Sequence, residues 1–448
     1  MSILDVKYLW DNLSLSPNLA YRIVNDRVFC QLTGSKVKNK YSIIEGMGKE
    51  AFVAMGQHSS FENFIDFMLA NYTVDRKKLI TDLYQFLRHL VELHFFENSE
   101  KKKHFYIQEE SIKNKVDVLQ LMIKSYSEKA FPFKVFLELT HKCNHRCKHC
   151  YLGKKVEIYN KSSKNGLPIV RILKLFEEMK EKGVLQLILT GGEALLYPNF
   201  RIVLEEAVKL RFAVSLLTNA SLLNEEMIEF ISSFPIDEIR IPLYGGETYH
   251  NWFVGDPNSY KKVMWSLKQL KSRDVNVVPT AILTNKNTKD IIKQKSILHN
   301  MGLNLEISPL IFPTIYRDLT PTYFRIQNEQ LSLLKKFDIL LQRSKCVAGI
   351  SRFRITPEGE VNACEMLPFS FGNVNRNSFG EILELPFRTK WIQEFGKLLK
   401  NKEKQCEKCS VYEYCIGCPG LSYLETGNLR GRSQEACRLA HFYEKGDV

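Results

Sequence analysis

The stretch that decides the fold runs Val135-Phe-Leu-Glu-Leu139-Thr-His-Lys-Cys143-Asn-His-Arg-Cys147-Lys-His-Cys150. Four of its first five residues are β-branched, aromatic or aliphatic, with Glu138 the exception, and the run reads as a buried strand. Three cysteines follow at once, so the strand delivers three thiols into the loop at its C-terminal end. Three thiolates hold three irons of a 4Fe–4S cluster and leave the fourth iron open to a small-molecule ligand. A structural zinc site is the competing reading. It requires a fourth protein ligand nearby, from His145 or His149.

Downstream of these cysteines, apolar strands alternate with amphipathic helices. Strands are expected at Leu185–Thr190, Ala213–Thr218, Glu238–Leu243, Val275–Leu283 and Asn304–Ser308. Helices are expected near Pro168–Lys182, Phe200–Leu210, Asn224–Ser232, Ser259–Ser272 and Lys289–Met301. Six such repeats imply parallel strands joined by crossover helices. The fold class is α/β, a partial (β/α)6 barrel, and its chemistry belongs at the C-terminal ends of the strands. Those ends carry Thr190-Gly-Gly-Glu193, Leu217-Thr218-Asn219 and Ile241-Pro-Leu-Tyr-Gly245. Gly191 and Gly192 let backbone approach a ligand closely, and Glu193 accepts hydrogen bonds from an ammonium group. Taken alone, Gly-Gly-Glu is equally a tight turn.

Upstream, Asn25-Asp26 between two apolar runs predicts a hairpin. Ser59-Ser-Phe-Glu62 has capping-box spacing before a helix, and Leu79, Leu83, Phe86, Leu87 and Leu90 share a face of another. A hairpin with amphipathic helices of this size predicts a winged-helix-like domain over 1–98. The polar junction Ser99-Glu-Lys-Lys-Lys103 then leads into a bridging helical segment over 99–132. The barrel spans 133–325, and a small C-terminal Fe–S domain spans 326–448. That last region is rich in Gly, Pro and Cys and poor in long periodic segments, a composition that calls for metal to hold it together.

Seven of the 11 cysteines lie there: Cys346, Cys364, Cys406, Cys409, Cys415, Cys418 and Cys437. No signal-peptide core and no membrane-length apolar run is found, so a reducing cytoplasm is expected, where clustered thiols mean metal or redox chemistry. Cys30 stands alone and reads as a small buried hydrophobe. The net charge of +13, from 63 Lys and Arg against 50 Asp and Glu, favours an anionic partner or a basic solvated surface.

The Cys143, Cys147, Cys150 spacing, with the glycine motif one βα unit later, resembles the radical S-adenosylmethionine (SAM) superfamily. The resemblance implies that the open iron chelates SAM, whose reductive cleavage yields a 5′-deoxyadenosyl radical that abstracts hydrogen. It places His149 near the adenine, Gly191, Gly192 and Glu193 at the SAM amino group, and Thr218 and Asn219 among further SAM contacts. Many relatives carry serine where Pro242 stands here. The seven C-terminal cysteines resemble the SPASM domain, which binds two auxiliary 4Fe–4S clusters and brings the total to three. By the family's interleaved pattern, Cys406, Cys409, Cys415 and Cys437 complete one cluster, while Cys346, Cys364 and Cys418 hold the other with one iron lacking cysteine. Relatives usually have three residues between the third and fourth cysteines of the central group; here Ile416 and Gly417 alone separate Cys415 from Cys418. The first domain resembles the peptide-recognition element fused to enzymes of ribosomal peptide pathways.

Together these imply a maturase that cross-links a precursor peptide, its leader held by the N-terminal domain and a thioether the expected bond. Electrons would come from an external donor such as flavodoxin or ferredoxin, with neither nucleic acid nor membrane as partner. Other radical modifications, a carbon–carbon cross-link or oxidation of a protein residue, stay open within that class. From a different class, the same cysteines behind a winged helix would suit a zinc-dependent nucleic-acid-binding regulator.

Overall fold

The computed structural model describes residues 3–34, 41–57, 59–98, 117–162, 165–339, 341, 346–400, 406 and 409–444. The expected junction at 99–103 and the first part of the bridging segment lie outside these residues.

The chain opens with a helix, Ile3–Asn12, and strand β1 (Leu13–Leu15). Strands β2 (Leu19–Val24) and β3 (Arg27–Leu32) then form the expected hairpin, paired from Leu19↔Leu32 to Val24↔Arg27. Asn25 takes the left-handed conformation (φ 54°) that a two-residue turn requires. β4 (Tyr41–Glu45) adds to β3, and β5 (Phe96–Asn98) pairs with β1. One face of this small sheet, with Val28, Cys30 and Ile44, packs on Phe52, Ile65 and Leu87 from the helices. Cys30 is wholly buried in that core. The helix Phe61–Asn71 is capped by Ser60, not Ser59: Ser60 Oγ accepts from Asn63 N at 3.2 Å, and Glu62 pairs instead with Lys7. The one-residue shift turns Phe61, Phe64, Ile65 and Met68 inward.

The other face of the small sheet, Ala20, Val24 and Phe29, packs against Met122 and Tyr126 of the helix Val118–Glu128. It also meets Phe133, Leu185 and Ala213, which flank the starts of three barrel strands. These are β6 (Lys134–Glu138), β7 (Gln186–Thr190) and β8 (Ala213–Leu217). Arg211 donates to Ser16 O at 2.7 Å, and Gln186 Nε2 donates to Gln31 Oε1 at 2.8 Å. The N-terminal unit is thereby fixed to the end of the barrel opposite the cysteine loop.

β9 (Glu238–Pro242), β10 (Val277–Ile282) and β11 (Glu306–Ser308) continue the parallel series from β6. The alternation of strand and helix is the one the sequence implies, with each helix burying its apolar stripe on the sheet. The barrel does not close. The free side of β6 is taken by β12 (Arg352–Ile355), parallel to it, and then by β13 (Glu360–Cys364) and β14 (Leu367–Asn373) in antiparallel order.

The C-terminal region is also more regular than its composition suggests. It contains helices Phe379–Glu384, Pro386–Lys400, Pro419–Thr426 and Gln434–Glu444. Phe353, Phe371, Phe379, Trp391 and Leu439 join the barrel's own core, so apolar burial as well as any metal holds this region. The expectation of a region poor in long periodic segments is corrected in that respect. No helix among the described residues is long and apolar enough to cross a membrane.

Candidate active site

The three cysteines at the end of β6 lie in a loop braced from three sides. On one side the backbone of Gly192 donates to Thr140 O (2.7 Å) and that of Glu193 to Lys142 O (2.8 Å). A Cβ on Gly191 would sit 2.3 Å from Thr140 O, and one on Gly192 2.4 Å from Lys142 O. The glycines therefore serve first to admit backbone against the cysteine loop. On a second side, Arg146 N and Lys148 N donate to Val254 O and Phe253 O at 2.7 and 2.9 Å, from the helix Glu247–Val254, which sequence periodicity did not reveal. On the third, Asn160 Oδ1 accepts from Cys143 N at 3.0 Å while its Nδ2 donates to Cys143 O at 2.8 Å.

The loop forms one wall of a cavity of about 790 Å³, to which Gly191, Gly192, Glu193, Thr218 and Asn219 also contribute. Glu193 is buried and accepts from Thr218 Oγ1 (2.7 Å), Asn219 N (2.7 Å) and Leu195 N (3.1 Å). Burial nevertheless raises its pKa. A carboxylate has about four lone-pair sites, so one remains for a further donor. Asn219 Nδ2 also donates to Asn144 Oδ1 at 2.9 Å, which ties the end of β8 to the cysteine loop. His149 stacks on Phe253 (centroids 4.9 Å, 8° between planes), and its Nε2 lies 3.1 Å from Tyr244 Oη. Burial lowers its pKa to about 4, so the ring is neutral, and its Nδ1 is buried with no partner among the described residues. Pro242 lines the cavity at the end of β9 and offers no hydrogen-bond donor there.

Sequence reasoning missed several wall residues. Tyr151, next after Cys150, donates to Glu138 Oε1 at 2.6 Å, and Arg354 Nη2 of β12 donates to Glu138 Oε2 at 2.7 Å. Arg354 and Glu138 are 3% and 2% exposed, so this buried ion pair locks the C-terminal hairpin to the strand that carries the cysteine loop. The segment after β11 crosses the mouth with Ile311, Phe312 and Phe324, and Arg325 ties it to Glu425 at 2.8 Å. Tyr151 lay beside a motif already in view, whereas the crossing segment has no periodicity to betray it.

Burial pushes the Cys143 thiol up to about 11 and raises those of Cys147 and Cys150. Such thiols ionise only against strongly bound cations, as iron ligands do. Among the described residues, no three His, Cys, Asp or Glu side chains converge on a point suited to a single ion.

The C-terminal thiols fall into two neighbourhoods. Cys346, Cys364 and Cys418 surround Arg352 and Glu365, which pair with Arg352 Nε 3.1 Å from Glu365 Oε2. Burial pushes Cys346 to about 11 and Cys364 to about 12. Met366, two residues after Cys364, lines the large cavity, and a Cβ on Gly420 would lie 3.0 Å from Met366 Cβ and 3.6 Å from Cys418 Sγ. Met366 is thus the point at which this part of the C-terminal region reaches the cavity, while Cys364 itself stands level with Arg352 and the start of β6. Cys437, Cys406 and Cys409 gather instead around Arg432, whose Nε donates to Cys437 Sγ at 3.2 Å. Cys415 follows Cys409 through two successive turns, with Tyr412 N donating to Cys409 O and Cys415 N to Tyr412 O.

Comparison with known proteins agrees with this architecture. Residues 137–293 match the model of the radical SAM superfamily, and residues 346–410 match that of SPASM, an iron–sulfur cluster-binding domain. The chain thus carries a radical SAM domain and a SPASM domain. SAM and iron–sulfur clusters are the cofactors these domains imply, and the cavity walls suit them: three thiols in one loop, a carboxylate with one free acceptor site, and an orphaned imidazole nitrogen.

Among relatives of these two domains, the antilisterial bacteriocin subtilosin biosynthesis protein AlbA of Bacillus subtilis is 25% identical over 313 residues, covering 65% of this chain and 68% of AlbA. The AdoMet-dependent heme synthase of Methanosarcina barkeri is 23% identical over 345 residues, covering 66% of this chain and 94% of that protein. The crystal structure of Streptococcus suis SuiB bound to precursor peptide SuiA superposes with a TM-score of 0.62 at 14% identity. That superposition covers 95% of this chain and 99% of SuiB, so the N-terminal unit shares its fold as well.

Proposed function

We propose that this radical SAM enzyme matures a ribosomally made precursor peptide by joining a cysteine sulfur to a carbon of the same peptide as a thioether. Cys143, Cys147 and Cys150 hold the radical-generating 4Fe–4S cluster. Cys406, Cys409, Cys415 and Cys437 complete one auxiliary cluster, and Cys346, Cys364 and Cys418 hold a third with one iron free of cysteine. Together these groups supply an electron to SAM, a radical that removes a hydrogen atom from carbon, and an acceptor for the electron left when C–S forms and the thiol proton departs. The chain's own residues position the reactants. Glu193, pinned by Thr218 and Asn219, offers its remaining acceptor site to the SAM ammonium. His149, neutral and stacked on Phe253, faces the adenine, while Phe312 and Phe324 exclude water from the mouth.

The observation that carries the reading is the place of the three-thiol set. Met366, two residues after Cys364 and close to Gly420 beside Cys418, lines the cavity, so a substrate thiolate bound at the open iron would be approached from that side. The names of AlbA and SuiA–SuiB support a peptide as substrate. The N-terminal unit would take the leader as an added strand at β2 or β4, the two edges of its sheet. The test is anaerobic incubation of the enzyme with precursor peptide, SAM and dithionite. Loss of two hydrogens together with protection of one cysteine from alkylation is expected. A product that lacks two hydrogens but keeps every cysteine alkylatable would replace the thioether with a carbon–carbon bond or an oxidised residue.

A further inference from the structure

The C-terminal helix Gln434–Glu444 presents a second hollow, which shares no lining residue with the barrel cavity. It holds about 520 Å³ and is lined by Arg432, Gln434, Cys437, Arg438 and His441. Two features distinguish it from an ordinary surface dip. A thiol lies in its wall, with a guanidinium donating to the sulfur at 3.2 Å, and the charged side chains that line it are two arginines. Arg432 is exposed, as is Arg430 on the turn just before it. Glu435, the acidic neighbour, is buried and already paired with Arg438 at 2.8 Å, so it adds no free negative charge to the rim.

We propose that this hollow is the docking face for an acidic one-electron carrier protein. The proposal rests on the assignment of Cys437 as a ligand of an auxiliary cluster. An electron leaves the carrier and arrives at the cluster without any bond being made or broken. What the protein must supply is close approach and orientation. The thiol in the hollow gives the approach, and the arginines steer an acidic partner, raising its association rate more than its final affinity. Contacts of this kind are small, and a hollow of this size suits them better than it suits a nucleic acid, which needs an extended basic track. The Arg432 N–H on the sulfur adds a second effect, since hydrogen bonds to ligand sulfurs help set a cluster's potential.

The experiment compares two reductants on the full, iron-loaded chain. Arg430→Glu combined with Gln434→Glu reverses charge at the rim without breaking a described contact, and an acidic residue in the first turn of a helix is favourable. With reduced flavodoxin as the probe at low ionic strength, 5′-deoxyadenosine formation and flavodoxin binding by titration are expected to fall about tenfold, a gap that closes as salt is added. With dithionite, the rate should equal that of the unchanged enzyme. Equal flavodoxin binding and equal flavodoxin-driven rates in both proteins would overturn the proposal. So would loss of precursor-peptide binding with flavodoxin binding intact, which would make the hollow a peptide site. Iron content of Cys437→Ala separates the underlying assignment: full retention of iron would remove the cluster from this position whatever flavodoxin does.

Discussion

The thiols at the barrel mouth and those of the C-terminal region are built on opposite plans. Cys143, Cys147 and Cys150 come from eight consecutive residues, and the fold's task is to brace that loop with backbone from Gly192–Glu193 and Phe253–Val254. The C-terminal thiols come from separated pieces. Cys346 precedes β12, Cys364 ends β13, Cys418 caps the helix Pro419–Thr426 and Cys437 lies in the last helix. A local motif works wherever a strand delivers it, whereas a dispersed one exists only once the tertiary structure has formed. The two regions are also joined mechanically, since β12 extends the barrel sheet and its Arg354 reaches the buried Glu138 of β6.

The comparison breaks most completely if the two regions are not independent. Replacing Cys143, Cys147 and Cys150 with alanine should abolish 5′-deoxyadenosine formation while iron bound by the C-terminal region remains. Residual SAM cleavage, or loss of all iron, would contradict the division. Next in size is the seam between them. Arg354→Ala leaves Glu138 charged and buried, and is expected to cost about 3–5 kcal/mol in stability, seen as a lowered denaturation midpoint. A drop below about 1 kcal/mol would show that the two regions do not depend on this pair.

The brace at the mouth comes third. Gly192→Ala forces a methyl group against Lys142 O and is expected to cost about 1–3 kcal/mol. Iron should be lost selectively from the mouth, by spectroscopy of the reduced enzyme, and unaltered mouth iron would mean that the loop does not need this contact. The smallest effect belongs to the N-terminal unit, which packs at the starts of the barrel strands, away from the cysteine loop. Ser60→Ala should lower stability by about 1 kcal/mol, read as a small shift in melting temperature with SAM cleavage unchanged. Ser59→Ala should do nothing, and the reverse result would restore the one-residue alternative.

By itself the sequence determined the parallel βα series, to within two residues at most strand and helix ends, because hydrophobic periodicity and β-branched runs are local properties of the chain. It determined the cysteine loop and the glycine motif for the same reason: each is a few contiguous residues whose chemistry follows from spacing. Tertiary structure alone decided that Gly191 and Gly192 meet backbone as well as the cavity, since no spacing announces which surface a turn will touch. It decided that the barrel stays open and takes β12 on the free side of β6, because strand order depends on contacts between residues more than two hundred positions apart. It placed Cys364 level with the start of β6, with Met366 beyond it in the cavity wall, and Cys437 in a hollow lined by Arg432 and Arg438. Which thiols become neighbours, and what they face, is settled by packing of the apolar core around Phe353, Trp391 and Leu439, and a cysteine count carries no trace of it.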